Sequence, residues 1–274
     1  MVYDNSLSQS YIESLSISSA LKSALDNDEF ILHYQPKLNL RTGKISGVEV
    51  LIRLSHPTRG LVYPGEFITL AEQSNMIARL TSWTISEGIK KLAEIRALGY
   101  DITLSINISP YALVASDVLT ALTKEMVYHS IPYRSLIVEI TETSIEQSPE
   151  EMSRISACLE MLGINISIDD FGTGQSSLLY IKHMPIKELK IDKTFVMNIL
   201  SNPADESIVR STIELAHSLG CEAVAEGVES TDVLDRLSEL GCDTAQGYLV
   251  SRPLPEVDFF EFLEERNGNK KTAG

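Results

Sequence analysis

The sequence predicts an α/β fold, a (β/α)8 barrel with its functional groups at one end. Three observations carry that prediction: a repeated helix-to-strand punctuation, apolar–polar alternation within each strand, and a polar residue closing one strand series after another.

In chain order, a Ser-rich start leads into Ile17–Leu25, a short amphipathic helix. Leu98-Gly99-Tyr100-Asp101 is the first of four matching segments; the others are Leu162-Gly163-Ile164-Asn165, Leu219-Gly220-Cys221-Glu222 and Leu240-Gly241-Cys242-Asp243. In each, an amphipathic stretch ends on a glycine suited to the left-handed position after a helix, and a β-like stretch follows. Helix starts are marked too. Ser148-Pro149-Glu150-Glu151 supplies a cap, a first-turn proline and acidic residues before Met152, Ile155, Leu159 and Leu162, and Ser230-Thr231-Asp232 precedes Val233, Leu234, Leu237 and Leu240.

Between these helices the strands alternate. Ile102, Leu104, Ile106 and Ile108 share one face, with Thr103, Ser105 and Asn107 opposite. Leu136, Val138 and Ile140 oppose Ile137 and Glu139, and three isoleucines from Ile164 oppose Asn165, Ser167 and Asp169. Leu189 and Ile191 oppose Glu188, Lys190 and Asp192, while Glu222, Val224 and Glu226 share a face. An antiparallel sheet with one wet face gives the same alternation, but capped helices between the strands argue for parallel βα units.

Composition narrows the function. The chain carries 23 Lys and Arg against 38 Asp and Glu, a formal charge of −15, which excludes a chain-wide surface for nucleic acid or an anionic membrane. With 43% hydrophobic residues it has enough apolar material for a full core. Cys158, Cys221 and Cys242 show no paired spacing, and the histidines are scattered, so neither a disulfide framework nor a zinc site is indicated. Without a signal-like or membrane-length segment, the expected setting is the cytoplasm, either alone or as the cytoplasmic part of a larger membrane protein.

The polar ends of the inward series are Glu49, Asn107, Glu139, Asp169 with Asp170, Lys190, Glu226 and Gln246. Five carboxylates against one lysine leave a formal −4 at the barrel mouth, and like charges that close raise one another's pKa. Cations must offset them. Oxygen donors without thiolate or clustered imidazole select hard ions such as Mg²⁺ or Mn²⁺, and two divalent ions bring the sum to zero. An anionic substrate is then repelled without metal and admitted with it. A tandem Asp169-Asp170 at a strand end can serve two ions, the arrangement that clamps a phosphoryl displacement. Lys190 then orients or activates water. The competing structural reading pairs Lys190 with Glu188 and Asp192 in a buried network that closes the barrel.

Tyr34-Gln35-Pro36, Gly47-Val48-Glu49-Val50-Leu51-Ile52-Arg53, Pro64-Gly65-Glu66-Phe67-Ile68 with Ala71-Glu72, Asn107-Ile108-Ser109 and Glu139-Ile140-Thr141-Glu142 stand in that order. Asp169-Asp170-Phe171-Gly172-Thr173-Gly174, Leu189-Lys190-Ile191-Asp192, Ala225-Glu226-Gly227-Val228-Glu229 and Gln246-Gly247-Tyr248 follow. Together they resemble the EAL-domain cyclic di-GMP phosphodiesterases from about Asp28 to Phe262. The resemblance implies a modified TIM barrel, a homodimer, and hydrolysis of cyclic di-GMP to linear pGpG with two Mg²⁺ or Mn²⁺ ions, Ca²⁺ being inhibitory. It implies metal ligation by Glu49, Asn107, Glu139, Asp169 and Asp170, with Lys190, Glu226 and Glu49 catalytic. Gln35, Leu51, Arg53, Asp192, Glu229 and Gln246 are implied at the substrate. The loop Phe171–Ser177, with Phe171, Gly172, Gln175 and Ser176, is implied to couple dimer to metal site, anchored by Glu142.

The signature reads Glu-Val-Leu instead of Glu-Ala-Leu; Leu54 replaces a usual Trp, which predicts a looser cleft, and Gln175 a usual Tyr. Expected boundaries are a lead-in at 1–27, the barrel at 28–265 and a disordered tail at 266–274, with a sensor or GGDEF domain upstream in many relatives. Two further readings stay open at this point: a catalytically quiet cyclic di-GMP receptor, and another metal-dependent barrel enzyme such as an enolising lyase.

Overall fold

An open sheet leaves two rows of backbone donors and acceptors unpaired, and here closure removes both rows. The computed structural model describes residues 5–27, 29–113, 116–147, 149–174, 178–182 and 184–267. Its strands are β1 (Phe30–Asn39), β2 (Ile45–His56), β3 (Gly60–Val62), β4 (Thr103–Asn107), β5 (Leu136–Thr141), β6 (Asn165–Phe171), β7 (Ile186–Ile191), β8 (Glu222–Ala225) and β9 (Thr244–Ala245). They lie in the order β1-β9-β8-β7-β6-β5-β4-β2-β3, and pairing of β1 with β2 closes the first eight into a barrel. The predicted α/β barrel is therefore present, in modified form. Apart from the appended β3, neighbours from β2 round to β9 run parallel, whereas β1 is antiparallel to both β2 and β9. A hairpin explains the reversal: β1 and β2 are joined by a short turn at residues 40–44, which only an antiparallel pair permits.

The outward faces are those the alternation predicts. Leu104, Ile106, Val138, Ile140, Ile166, Ile168, Leu189 and Ile191 all join the main apolar core beneath the helices. The interior departs from the branched aliphatic filling usual in such barrels. Ser105, Ser167, Lys37, Lys190, Glu139 and Glu188 are all buried, so ion pairs and hydroxyls fill the middle of the barrel.

The punctuating glycines behave as expected, with φ of 91° at Gly99, 76° at Gly163, 77° at Gly220 and 82° at Gly241. Ser230 caps its helix by accepting from the Val233 amide, while Ser148 lies outside the described residues. The N-terminal helix is longer than predicted, running over Asn5–Asn27. Apolar spacing marks a part that packs. Ile17, Leu21 and Ala24 recur at helical intervals and are buried in the core. Leu21→Ala is expected to cost about 2–5 kcal/mol in urea unfolding, as a fully buried leucine does; a change below half a kcal/mol would show that the helix is not docked. Among the described residues no helix is long and apolar enough to cross a membrane.

Candidate active site

A break in strand register builds the centre of the site. The pairing of β6 with β7 slips between Ile168 and Phe171, so that Asp169 and Asp170 sit on a bulge at the mouth. Asp170 has φ of 55°, a left-handed conformation that Asp tolerates better than most residues, and its amide donates to Asp169 Oδ1 at 3.0 Å. The bulge turns both carboxylates toward Glu226, which follows β8. Oxygens of Asp169, Asp170 and Glu226 lie within 4.8 Å of one another.

Lys190 projects into this cluster from β7 and is fully buried. Its Nζ lies 2.7 Å from Glu226 Oε1, 2.8 Å from Glu139 Oε2, 3.0 Å from Asp169 Oδ1 and 3.7 Å from Glu49 Oε2. The alternative pairing with Glu188 and Asp192 is not what forms. Residues two apart on a strand stand roughly 6–7 Å from each other, whereas carboxylates on neighbouring strands converge on the axis. Glu188 instead binds Lys37, and Asp192 accepts from the Thr194 amide at 2.8 Å, capping the helix Lys193–Val196.

Each carboxyl responds to its own balance of burial and charge. Burial, reinforced by Asp169 and Glu49, pushes Glu226 up to about 8 against the pull of Lys190. Burial followed by Asp169 and Asp192 pushes Asp170 up to about 6. Burial also raises Glu49, with Glu139 next in effect. Glu139 goes the other way: burial would raise it, but Lys190 and Lys37 hold it at about 2. Glu49, Asp170 and Glu226 thus resist ionisation where no cation is bound, and cations would complete such a site.

Glu49 is a correction to the pattern of strand ends. It lies in the middle of the long β2, because that strand pairs with β4 only as far as Val50 and then continues above the rim with β1 and β3. Gln246, just past β9, donates to Glu49 Oε2 at 2.6 Å and to Gln35 Oε1 at 3.1 Å, and Asn107 donates to Glu49 Oε1. Beside them opens a largely apolar cavity of about 290 Å³, lined in part by Leu51, Ile68, Leu80, Thr84, Asn107 and Glu139.

The sequence model of the family described as EAL domain matches residues 18–253. The chain belongs to the EAL-domain family. The signaling protein YkoW of Bacillus subtilis is 38% identical over 264 residues, which is 96% of this chain and 33% of YkoW. The cyclic di-GMP phosphodiesterase RocR of Pseudomonas aeruginosa is 36% identical over 238 residues, 87% of this chain and 61% of RocR. Among solved structures, the PaMucR phosphodiesterase in complex with c-di-GMP matches with a TM-score of 0.84 at 35% identity, covering 89% of this chain and 99% of that one. This EAL domain thus spans a third of YkoW (33%) and less than two thirds of RocR (61%).

The remaining expected residues of this EAL domain are placed less uniformly. Arg53 reaches the mouth almost fully buried, its guanidinium 5.0 Å from the Tyr63 ring centre, and its Nε has no partner among the described residues. Leu54, beside it, is fully buried in the core on the opposite strand face, away from the cleft that its substitution was expected to loosen. Glu142 is fully buried and its Oε2 accepts from the amides of Gly172 at 3.0 Å and Gly174 at 3.2 Å, tying down the segment after Phe171. Gln175 and Ser176 lie outside the described residues. Glu229 is not gathered into the cluster; it is exposed on the loop after β8. One residue was missed. Lys37 of β1 is buried below the cluster, donating to Ser105, Glu139 and Glu188. Its signal was the period of two from Gln35, which places both side chains on one face of the strand.

Proposed function

We propose that this EAL domain is a cyclic di-GMP phosphodiesterase that opens its substrate to linear pGpG with two Mg²⁺ or Mn²⁺ ions. The observation that carries this reading is the convergence of Glu49, Asn107, Glu139, Asp169, Asp170 and Glu226 around the buried Lys190, with no expected oxygen donor of the cluster missing. The donor set fits hard divalent ions: it is all oxygen, and it carries more negative charge than two lysines offset. Once bound, such ions neutralise phosphate charge and lower the pKa of water.

The residues do the rest. Glu49, Asn107, Glu139, Asp169 and Asp170 hold the ions, and Lys190 with Glu226 orients the attacking water. The water oxygen bonds to phosphorus as the P–O3′ bond breaks, leaving a 3′-hydroxyl and a 5′-phosphate. Arg53, with an unsatisfied donor at the mouth, suits a non-bridging phosphate oxygen, and the cavity beside Leu51 suits a base. A homodimer coupled through the loop that Glu142 fastens belongs to the same proposal.

The test is product analysis by chromatography with purified protein. pGpG is expected in Mg²⁺ or Mn²⁺ and none in Ca²⁺, whose longer bonds and looser coordination misplace the reacting oxygens. Binding without turnover in every metal would make the domain a receptor instead. Failure to bind any cyclic dinucleotide would sink both readings.

A further inference from the structure

The mechanism above leaves the buried charge of Lys37 unused. Lys37 is 1% exposed, and its ammonium spends all three protons inside the barrel: on Ser105 Oγ at 2.7 Å, Glu139 Oε1 at 2.8 Å and Glu188 Oε2 at 2.7 Å. Ser105 and Glu188 each stand two residues before a member of the site, Asn107 and Lys190, so Lys37 occupies the layer immediately beneath it. Glu139 joins the two layers. Lys37 holds its Oε1 and Lys190 its Oε2, the latter at 2.8 Å.

Burying an ammonium and two carboxylates is a poor way to stabilise a barrel that aliphatic side chains fill elsewhere. The two lysines also differ in what they leave open. Lys190 sits among Asp169, Glu226 and Glu49, where a cation would go, whereas Lys37 touches Glu139 from the far side and competes with nothing at the mouth.

We propose that Lys37 is a positioning residue for the metal centre: by holding one oxygen of Glu139 from the layer below, it keeps the other aimed at the cluster. This inference rests on the metal-dependent reading given above. Lys37 acts on divalent-ion affinity through Glu139, its three donors being taken by Ser105, Glu139 and Glu188.

Lys37→Met alone strands two buried carboxylates and is expected to cost about 3–5 kcal/mol of stability, a loss that would confound any change in metal binding. The informative variant pairs Lys37→Met with Glu188→Gln, which removes one charge of each sign and preserves the formal balance. Mn²⁺ binding is read from the electron paramagnetic resonance signal of the free ion, with circular dichroism and a thermal melt confirming the fold. Wild-type protein is expected to bind Mn²⁺, the folded pair variant to bind it about 10- to 100-fold more weakly, the usual effect of removing an outer-sphere partner, and Glu188→Gln alone to stay near wild type. A pair variant that melts lower but binds Mn²⁺ as wild type does would make Lys37 purely structural and overturn the proposal. Wild-type protein that takes up no Mn²⁺ would overturn the metal reading, and this inference with it.

Discussion

Lys190→Met is expected, under the proposed reaction, to lower Mg²⁺-dependent turnover of cyclic di-GMP by about a thousandfold, within the range for loss of a group that positions the reacting water. The observation behind this is the fourfold contact of Nζ with Glu226, Glu139, Asp169 and Glu49 at a fully buried position. Methionine nearly matches the volume of lysine but offers no charge. The ion-free variant then holds five converging carboxylates with Lys37 as the remaining lysine among them, and roughly 3–5 kcal/mol of stability should go with the broken buried pairs. Divalent ions should return part of that stability by binding the folded state, yet not the turnover. Steady-state kinetics at saturating Mg²⁺ and melts with and without Mg²⁺ measure both effects. Turnover within tenfold of wild type would show that Lys190 is a structural counter-ion only.

Gly247→Ala has the second largest expected effect, and it acts through the backbone. A Cβ at Gly247 would lie 2.2 Å from the Val228 amide nitrogen and 2.3 Å from the Val228 carbonyl oxygen, neither of which can swing aside. Val228 is itself pinned, its amide donating to the Gln246 carbonyl at 3.1 Å and its carbonyl accepting from Leu249 at 3.0 Å. Separating these two segments should cost about 3 kcal/mol, at the upper end for overpacking. It should also pull Gln246 off Glu49. Since a displacement of about 1 Å can cost a hundredfold in rate, kcat is expected to fall by about that factor. Urea unfolding and kinetics at a temperature where the variant is folded separate the two losses. A stable variant with normal kcat would mean that the close approach does not position Gln246.

The lysines show where the sequence stops being legible. The period of two placed Lys190 on the inward face beside Glu188 and Asp192, yet its partners come from β2, β5, β6 and the loop after β8. Glu188 is claimed by Lys37, a residue 151 positions away that no local pattern pairs with it. Glu49 stands in the inward series as read, but its place in mid-strand follows from the β1–β2–β3 extension above the rim. Glu229 sits in the motif as tightly as Glu226 does, and only the path of the loop leaves it exposed.

What the sequence by itself determined is everything written in neighbouring residues. Helix ends at Gly99, Gly163, Gly220 and Gly241, the two faces of each strand, and the identity of the inward polar groups all follow from local sterics and periodicity. The tertiary structure alone decided the direction of β1, the bulge that turns Asp169 and Asp170 toward Glu226, and which lysine offsets which carboxylate. The reason is physical: charge pairing falls steeply with distance through a buried interior, and those distances exist only once the barrel has closed.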